Sequence, residues 1–250
     1  MTTIGSIQND LYSTLPHTWQ TQLWARLVRR IGRHWVISRH VKRHCQPFTV
    51  EGRDALNGVK GPALIIANHS SHFDTPAALS ALPERLRGKT AVAAAADRFY
   101  LRTKRGWWYS LFFNTFPIER HGGGTATLEY PISLLRRGWS VLIYPEGTRS
   151  TTGQFGKFHH GVALMAMRAK VPVIPIYTEG LRDVMPKGQR TPRPAAVRVR
   201  IGTPVSLTDA ASVTDGTARL EDAMRALAGA PRSEAPDASP ALELAGVARS

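Results

Sequence analysis

The sequence has a single cysteine, no long apolar run and few acidic residues, and each shortage excludes a class of protein. One thiol, Cys45, cannot form an internal disulfide and supplies no thiolate cluster for zinc. No run of about 18 apolar residues is present, so no transmembrane helix is expected. The N-terminus lacks the basic start and apolar stretch of a secretory signal. We therefore expect a peripheral or monotopic protein on the cytoplasmic side of the cell membrane.

The shortage of acidic residues leaves a large positive charge. Lys and Arg number 33 against 18 Asp and Glu, and the formal net charge is +15. Residues 203–250 contain seven acidic and four basic side chains, so the excess lies before them. Such a field attracts nucleic acid, anionic membrane surfaces or phosphorylated small molecules. No zinc-finger or RNA-binding motif accompanies the charge, so no specific nucleic-acid partner is expected.

With 42% apolar and 20% charged residues, the chain can build a substantial core. Helix-like stretches at Thr125–Arg137, which Gly138 ends, and at His160–Lys170 alternate with apolar runs typical of buried strands. Those runs are ALIIAN (63–68), AVAAAA (91–96), SVLIYPEG (140–147), VPVIPIY (171–177) and AVRVRIG (196–202). The alternation predicts one α/β domain, residues 46–229, with a largely parallel or mixed central sheet flanked by helices. Residues 230–250, rich in Pro, Ala and Ser, are expected to be a disordered tail.

The segment 1–45 is predicted to carry a basic amphipathic helix or two short ones within Thr21–Arg43. At 100° per residue, one face collects Leu23, Trp24, Leu27, Val28, Ile31 and Trp35, and the opposite face collects Arg26, Arg29, Arg30 and Arg33. A surface helix docked on the core and a helix lying in an anionic membrane interface both fit, and the tryptophans and arginines favour the second. The basic and aromatic stretch Arg102–Phe113 fits the same interface or a partly buried helix.

The string ANHSSHFD, residues 67–74, directly follows a predicted strand, where active sites of parallel sheets gather. His69, His72 and Asp74 could bind a metal, but the string is no known zinc signature, so no metal is expected. His69 could instead act as a general base, with Asp74 fixing its tautomer from the start of a helix. A strand-end histidine with a capping aspartate is the plain structural alternative. Since no G-x-S-x-G elbow is present, the nucleophile would be a hydroxyl of the substrate.

Two further blocks contain arginine. YPEGTRS, residues 144–150, follows a predicted strand, and FPIER, Phe116–Arg120, ends a short strand-like run. Glycine permits close backbone approach, and the guanidinium fork matches phosphate oxygens.

Four blocks of the sequence, within residues 48–202, resemble those of the glycerolipid acyltransferases. In order along the chain they are N-H-x-x-x-x-D, the arginine-ended block FPIER, E-G-T-R-S and V-P-V-I-P-I. Two positions depart from the family pattern. Asn114 stands where the second block usually has glycine, and FHHG, Phe158–Gly161, stands where the family often has a lysine. Both departures bear on which acceptor the protein uses more than on the reaction that it catalyses.

The resemblance implies an O-acyltransferase that needs no metal or cofactor. His69, oriented by Asp74, would deprotonate the hydroxyl of a lysophospholipid, which would then attack the thioester of acyl-CoA or acyl carrier protein. The expected acceptor is 1-acyl-sn-glycerol 3-phosphate, and the expected product is phosphatidic acid. The acceptor's phosphate would bind to Arg120, Glu146, Gly147, Thr148 and Arg149. Transfer to another lysophospholipid, a glycolipid or a polyol is the alternative within the enzyme class, and a non-catalytic membrane- or nucleic-acid-binding protein is the alternative outside it.

Overall fold

The computed structural model describes residues 19–96, 105–118, 124–189 and 191–229. Within these residues, seven strands form one sheet in the order β1-β7-β6-β2-β5-β3-β4. The strands are β1 Cys45–Glu51, β2 Leu64–Ala67, β3 Thr90–Ala95, β4 Thr115–Ile118, β5 Ser140–Ile143, β6 Val173–Glu179 and β7 Ala195–Ile201. All neighbours are parallel except β6 and β7. The predicted fold class, a single α/β domain with a mixed sheet flanked by helices, is confirmed.

The helices cover both faces of this sheet. They are α1 Leu23–Gly32, α2 Ser38–His44, α3 Asp74–Ala81, α4 Glu84–Arg87, α5 Arg105–Phe113, α6 Glu129–Arg136, α7 Gly161–Ala169, α8 Leu181–Val184 and α9 Val213–Ala228. A π-helical turn, Arg33–Ile37, joins α1 to α2, and short 3₁₀ helices lie at Trp19–Thr21, Arg53–Leu56 and Gly124–Leu128. None of the helices in the described ranges is both long and apolar enough to cross a bilayer.

The central strand β2 shows how the sequence builds the core. Its four residues, LIIA, are all fully buried. Side chains alternate across a strand, so Ile65 and Ala67 pack into one apolar layer with α3, while Leu64 and Ile66 pack into the other with α6, α7 and α9. A strand apolar on both faces is typical of the middle of a parallel sheet.

The N-terminal helical segment is confirmed, but the predicted surface position of its arginines is wrong for two of the four. Arg29 and Arg33 are only 2% and 6% exposed. Arg29 Nε donates to the carbonyl of Leu111 at 2.8 Å, and Arg33 Nε donates to that of Phe112 at 3.0 Å. The last carbonyls of a helix have no partner within it, so these guanidinium groups cap the C-terminal end of α5. The 100° projection shows the face on which a residue lies, but not what covers that face.

The remaining differences concern elements with weak patterns. The long helix α9 and the edge strand β1 were not predicted, since α9 has a mixed composition and β1 alternates exposed and half-buried residues. The predicted tail lies outside the described residues, as do residues 1–18. Gly138, with φ of +82°, ends α6 as expected.

Candidate active site

Two loops form the site, each following the carboxyl end of a central strand. The loop containing His69 follows β2, and the loop containing Glu146–Arg149 follows β5. Because β2 and β5 are parallel neighbours, their ends bring both loops to the same edge of the sheet. The backbone N–H of Ser150 donates to the carbonyl of His69 at 2.7 Å and ties the loops together.

The side chains of His69 and Asp74 form a hydrogen-bonded pair. His69 Nδ1 lies 2.7 Å from Asp74 Oδ2. Asp74 is fully buried at the first residue of α3, whereas the side chain of His69 is 23% exposed and reaches a cavity. Oδ2 of Asp74 also accepts the backbone N–H groups of Ser70 and Ser71, at 2.6 and 2.7 Å. With Oδ2 as the acceptor in each of these contacts, Nδ1 carries the proton and Nε2 is left as the acceptor.

Glu146 contacts the backbone of both loops. Its Oε1 accepts the backbone N–H of His69 at 3.0 Å, and its Oε2 accepts that of Gly156 at 2.9 Å. Burial raises the pKa of this carboxyl, and the two amide donors act in the opposite direction. The residue is only 6% exposed and is not among the residues that line the cavity. The contacts show Glu146 holding the two loops in register, and direct phosphate binding by it stays an untested prediction.

Gly147, Thr148 and Arg149 line the same cavity as His69. Gly147 has φ of +65°, and a Cβ there would lie 2.9 Å from Nε2 of His159, so only glycine fits without displacement. Arg149 is buried at the cavity wall. His159 belongs to the FHHG string and is a site residue that the sequence did not single out. The other phosphate candidate, Arg120, lies outside the described residues.

The cavity has a volume of about 1270 Å³ and a cationic, partly apolar lining. Arg149 and Lys187 lie on its wall, and none of the described lining residues is acidic. Its apolar side is formed by β3 and by side chains of α5, β4 and α7, among them Tyr109, Ile118 and Met165. A space larger than the ~300–1,000 Å³ of most small-ligand sites, apolar on one side and cationic on another, suits an amphiphile with an anionic head.

Tyr144 and Asn68 also shape the site. The ring of Tyr144 stacks on that of His69, with centroids 4.1 Å apart. The Asn68 side chain donates to the carbonyl of Thr178 at 2.9 Å and accepts the Thr178 backbone N–H at 2.7 Å, which fixes the end of β2 to β6. Tyr144 was not identified from sequence, because an aromatic residue at a strand end has no distinctive pattern. In the part of the chain that is described, no group of three His, Cys, Asp or Glu side chains could hold a metal ion.

Comparison with known proteins identifies the family. A family model described as Acyltransferase matches residues 47–179, which include both loops and more than half of the chain. The chain belongs to the acyltransferase family. The chain is 29% identical over 165 residues to the chloroplastic 1-acyl-sn-glycerol-3-phosphate acyltransferase LPAT1 of Arabidopsis thaliana, covering 64% of this chain and 44% of that protein. It is also 29% identical over 164 residues to the lyso-ornithine lipid O-acyltransferase of Pseudomonas aeruginosa, covering 65% and 58%.

The chain spans about half the length of curated relatives that it matches. Among solved structures it resembles the 1-acyl-sn-glycerophosphate acyltransferase PlsC of Thermotoga maritima, with a TM-score of 0.61 and 23% identity. That alignment covers 80% of this chain and 82% of the other. At this identity the likeness establishes the fold.

Proposed function

We propose that this acyltransferase moves a fatty acyl group from an acyl thioester to the free hydroxyl of 1-acyl-sn-glycerol 3-phosphate, which gives phosphatidic acid. The observation that carries the proposal is the buried Asp74 carboxylate 2.7 Å from Nδ1 of His69, beside a cationic cavity. A buried aspartate fixed by two amide groups orients one histidine nitrogen and leaves the other to accept a proton.

The proposed reaction uses His69 as a general base. Nε2 of His69 takes the proton of the acceptor's hydroxyl as its oxygen attacks the thioester carbonyl. The C–S bond breaks, and the departing thiolate takes the proton back from His69, so no covalent enzyme intermediate forms. Asp74 supports the positive charge on the imidazole during the transfer. Neither a metal nor a cofactor takes part in these steps, and the donor is coenzyme A or acyl carrier protein.

The anionic head of the acceptor is assigned to Gly147, Thr148 and Arg149. Arg149 is a buried cation on the cavity wall, and a guanidinium binds phosphate oxygens in pairs. Lys187 adds a second cation, exposed to solvent, to the lining of the cavity. Arg120 retains its predicted role as a further phosphate ligand.

The acyltransferase is also proposed to act at an anionic membrane surface, on the cytoplasmic side. The apolar face of α1, which comprises Leu23, Trp24, Leu27, Val28 and Ile31, is exposed, as are Trp35, Trp108 and Tyr109. Helix α1 packs on α5, and Tyr109 of α5 lines the cavity. An exposed apolar surface beside a cavity for an amphiphile is suited to substrates that reside in lipid.

The test is to incubate the purified protein with acyl-CoA or acylated carrier protein and a panel of acceptors. The panel contains 1-acyl-sn-glycerol 3-phosphate, lysophosphatidylcholine, lyso-ornithine lipid and a polyol, and products are identified by mass spectrometry. Phosphatidic acid as the main product, absent with His69→Ala, supports the proposal. Preference for lyso-ornithine lipid or another acceptor would retain the chemistry and correct the acceptor. No ester from any acceptor, with the wild-type protein folded, would overturn the enzymatic role.

A further inference from the structure

We infer that Tyr144 and Thr75 are positioning residues for His69: together they hold the imidazole in the orientation that meets Asp74, and the tyrosine ring stabilises the imidazolium formed during proton transfer. The inference rests on the proposed role of His69 as the general base. Neither side chain was assigned a role from the sequence. The Tyr144 ring contacts His69 directly, and Thr75 contacts it through one hydrogen bond to Tyr144.

The first contact is between the rings. Their centroids lie 4.1 Å apart and their planes differ by 18°, which is a closely stacked pair. The face of a phenol ring carries negative electrostatic potential, so it attracts an imidazolium more strongly than a neutral imidazole. Since His69 is neutral before the transfer and charged during it, the ring stabilises the transition state more than the ground state.

The second contact fixes the tyrosine itself. The hydroxyl of Tyr144 lies 2.7 Å from Oγ1 of Thr75, which directly follows Asp74 in the first turn of α3. Tyr144 therefore links the end of β5 to the turn that holds Asp74. Rotation of the His69 ring would break both its bond to Asp74 and its stacking on Tyr144.

Tyr144 does not compete with His69 for the role of base. Burial raises the pKa of its hydroxyl well above the ordinary value, and the negative charge of Asp74 raises it further. The hydroxyl therefore stays protonated near neutral pH. The ionisable groups near His69 are Asp74, which pairs with it, and Glu146, which accepts its backbone N–H; His72, Arg149, His159 and Lys187 line the same cavity. Substitutions at Tyr144 leave all of these side chains in the chain, so a change in the pH profile is attributed to the ring.

Three variants separate the parts of this arrangement. Tyr144→Leu removes the ring, Tyr144→Phe keeps the ring and removes the hydroxyl, and Thr75→Val removes the hydroxyl's partner. We expect Tyr144→Leu to lower kcat by about 5- to 30-fold, with the KM for the acceptor changed less than about twofold. The acid limb of its pH–rate profile should move to lower pH by roughly half a unit to one unit, because the charged imidazole loses its support. Tyr144→Phe should restore the limb and most of kcat, and Thr75→Val should resemble Tyr144→Phe.

A spectroscopic measurement tests the stacking without any substrate. In the wild-type protein the His69 ring proton resonance, identified by its loss in His69→Ala, should be displaced by the ring current of Tyr144. The displacement should persist in Tyr144→Phe and vanish in Tyr144→Leu, or in Tyr144→Met if the leucine variant does not fold. An inactive wild type with the displaced resonance would refute the acyltransferase proposal alone. An active wild type whose kcat and pH profile survive loss of the ring, or a resonance without displacement, would overturn the positioning role.

Discussion

Oδ2 of Asp74 accepts the backbone N–H groups of Ser70 and Ser71 while it pairs with Nδ1 of His69. The carboxylate that orients the imidazole is thus held by the loop that begins at that histidine. Asp74 lies five positions after His69 in sequence, and the turn between them closes because Asp74 opens α3. Geometry of this kind is preorganised, since little has to move when the substrate binds.

The pair predicts a loss of turnover when either member is changed. His69→Ala should lower kcat by about two to four orders of magnitude, the usual contribution of general acid–base catalysis. Asp74→Asn should also lower it severely, because a carboxamide can favour the wrong imidazole tautomer. Steady-state kinetics with labelled acyl-CoA measures both, and circular dichroism checks the fold. His72→Ala, in the same loop, is the control and should retain most activity. A folded His69→Ala protein with wild-type turnover would refute the proposed role of His69 as general base.

Arg149 provides the second prediction, which separates binding from chemistry. Arg149→Ala should raise the KM for a phosphorylated acceptor by about ten- to a hundredfold, because a hydrogen bond to a charged group contributes roughly 1.5–3 kcal/mol. Lys187→Ala should have a smaller effect, since Lys187 is exposed to water and salt. Kinetics with the acceptor and the donor varied in turn distinguish the two sites. If Arg149→Ala weakened only the donor, the phosphate assignment would be wrong.

Glu146→Gln distinguishes phosphate binding from loop positioning. Both carboxylate oxygens accept backbone N–H groups, and a glutamine would present its NH₂ group to one of these donors. An unsatisfied buried polar group costs about 1–3 kcal/mol, so we expect a lower melting temperature and a lower kcat. The KM for the acceptor should change little. A rise in that KM with unchanged stability would instead support direct binding by Glu146.

Arg33 and Arg30 form a matched pair for a stability test. Arg33 is buried against the carbonyls of α5, and burial lowers its pKa to about 9. Arg33→Met would leave these carbonyls unsatisfied, and we expect the free energy of unfolding to fall by roughly 2–5 kcal/mol. Arg30 is exposed, so Arg30→Met should change it by less than about 0.5 kcal/mol. Urea denaturation of both variants gives the comparison; equal stability would show that the capping is dispensable.

The sequence predicts the sheet well because its strong signals are local. The apolar runs LIIA and SVLI can only be buried, and polar residues directly after them must lie at the carboxyl edge of the sheet. His69 and Arg149 can therefore be assigned to one site from the sequence alone. Their separation along the chain does not show how close they lie in space, however. That closeness follows from the pairing of β2 with β5, which the structure shows.

Contacts between distant residues could not be predicted. The ring of Tyr144 stacks on His69, and Glu146 accepts the backbone N–H of His69. Both contacts depend on the register between β2 and β5, which cannot be read from a single sequence. The burial of Arg29 and Arg33 could not be predicted either, since an arginine on a helix surface is usually solvated. Their burial depends on carbonyls at the end of α5 that have no partner within that helix and lie more than 75 residues away in sequence.

The last prediction concerns the membrane, and the two buried arginines decide how it must be tested. Deletion of residues 1–43 would remove the caps of α5 together with the apolar face, so loss of binding in that variant would be ambiguous. Surface substitutions avoid this problem. Leu27 and Ile31 are 54% and 66% exposed, and neither is expected to stabilise the fold.

We expect Leu27→Ser with Ile31→Ser to weaken co-sedimentation with anionic vesicles by at least about tenfold, with an unchanged melting temperature, because their apolar area contributes about 25 cal/mol per Å² buried in lipid. Arg30→Gln should weaken binding by roughly fivefold, since one basic residue near the surface contributes about 1 kcal/mol. Salt should reduce wild-type binding without abolishing it, because salt screens charge and leaves apolar burial intact. Activity on short-chain substrates dispersed in detergent should survive both changes. Equal wild-type binding to neutral and anionic vesicles, or binding to neither, would rule out an anionic interface as the partner of α1.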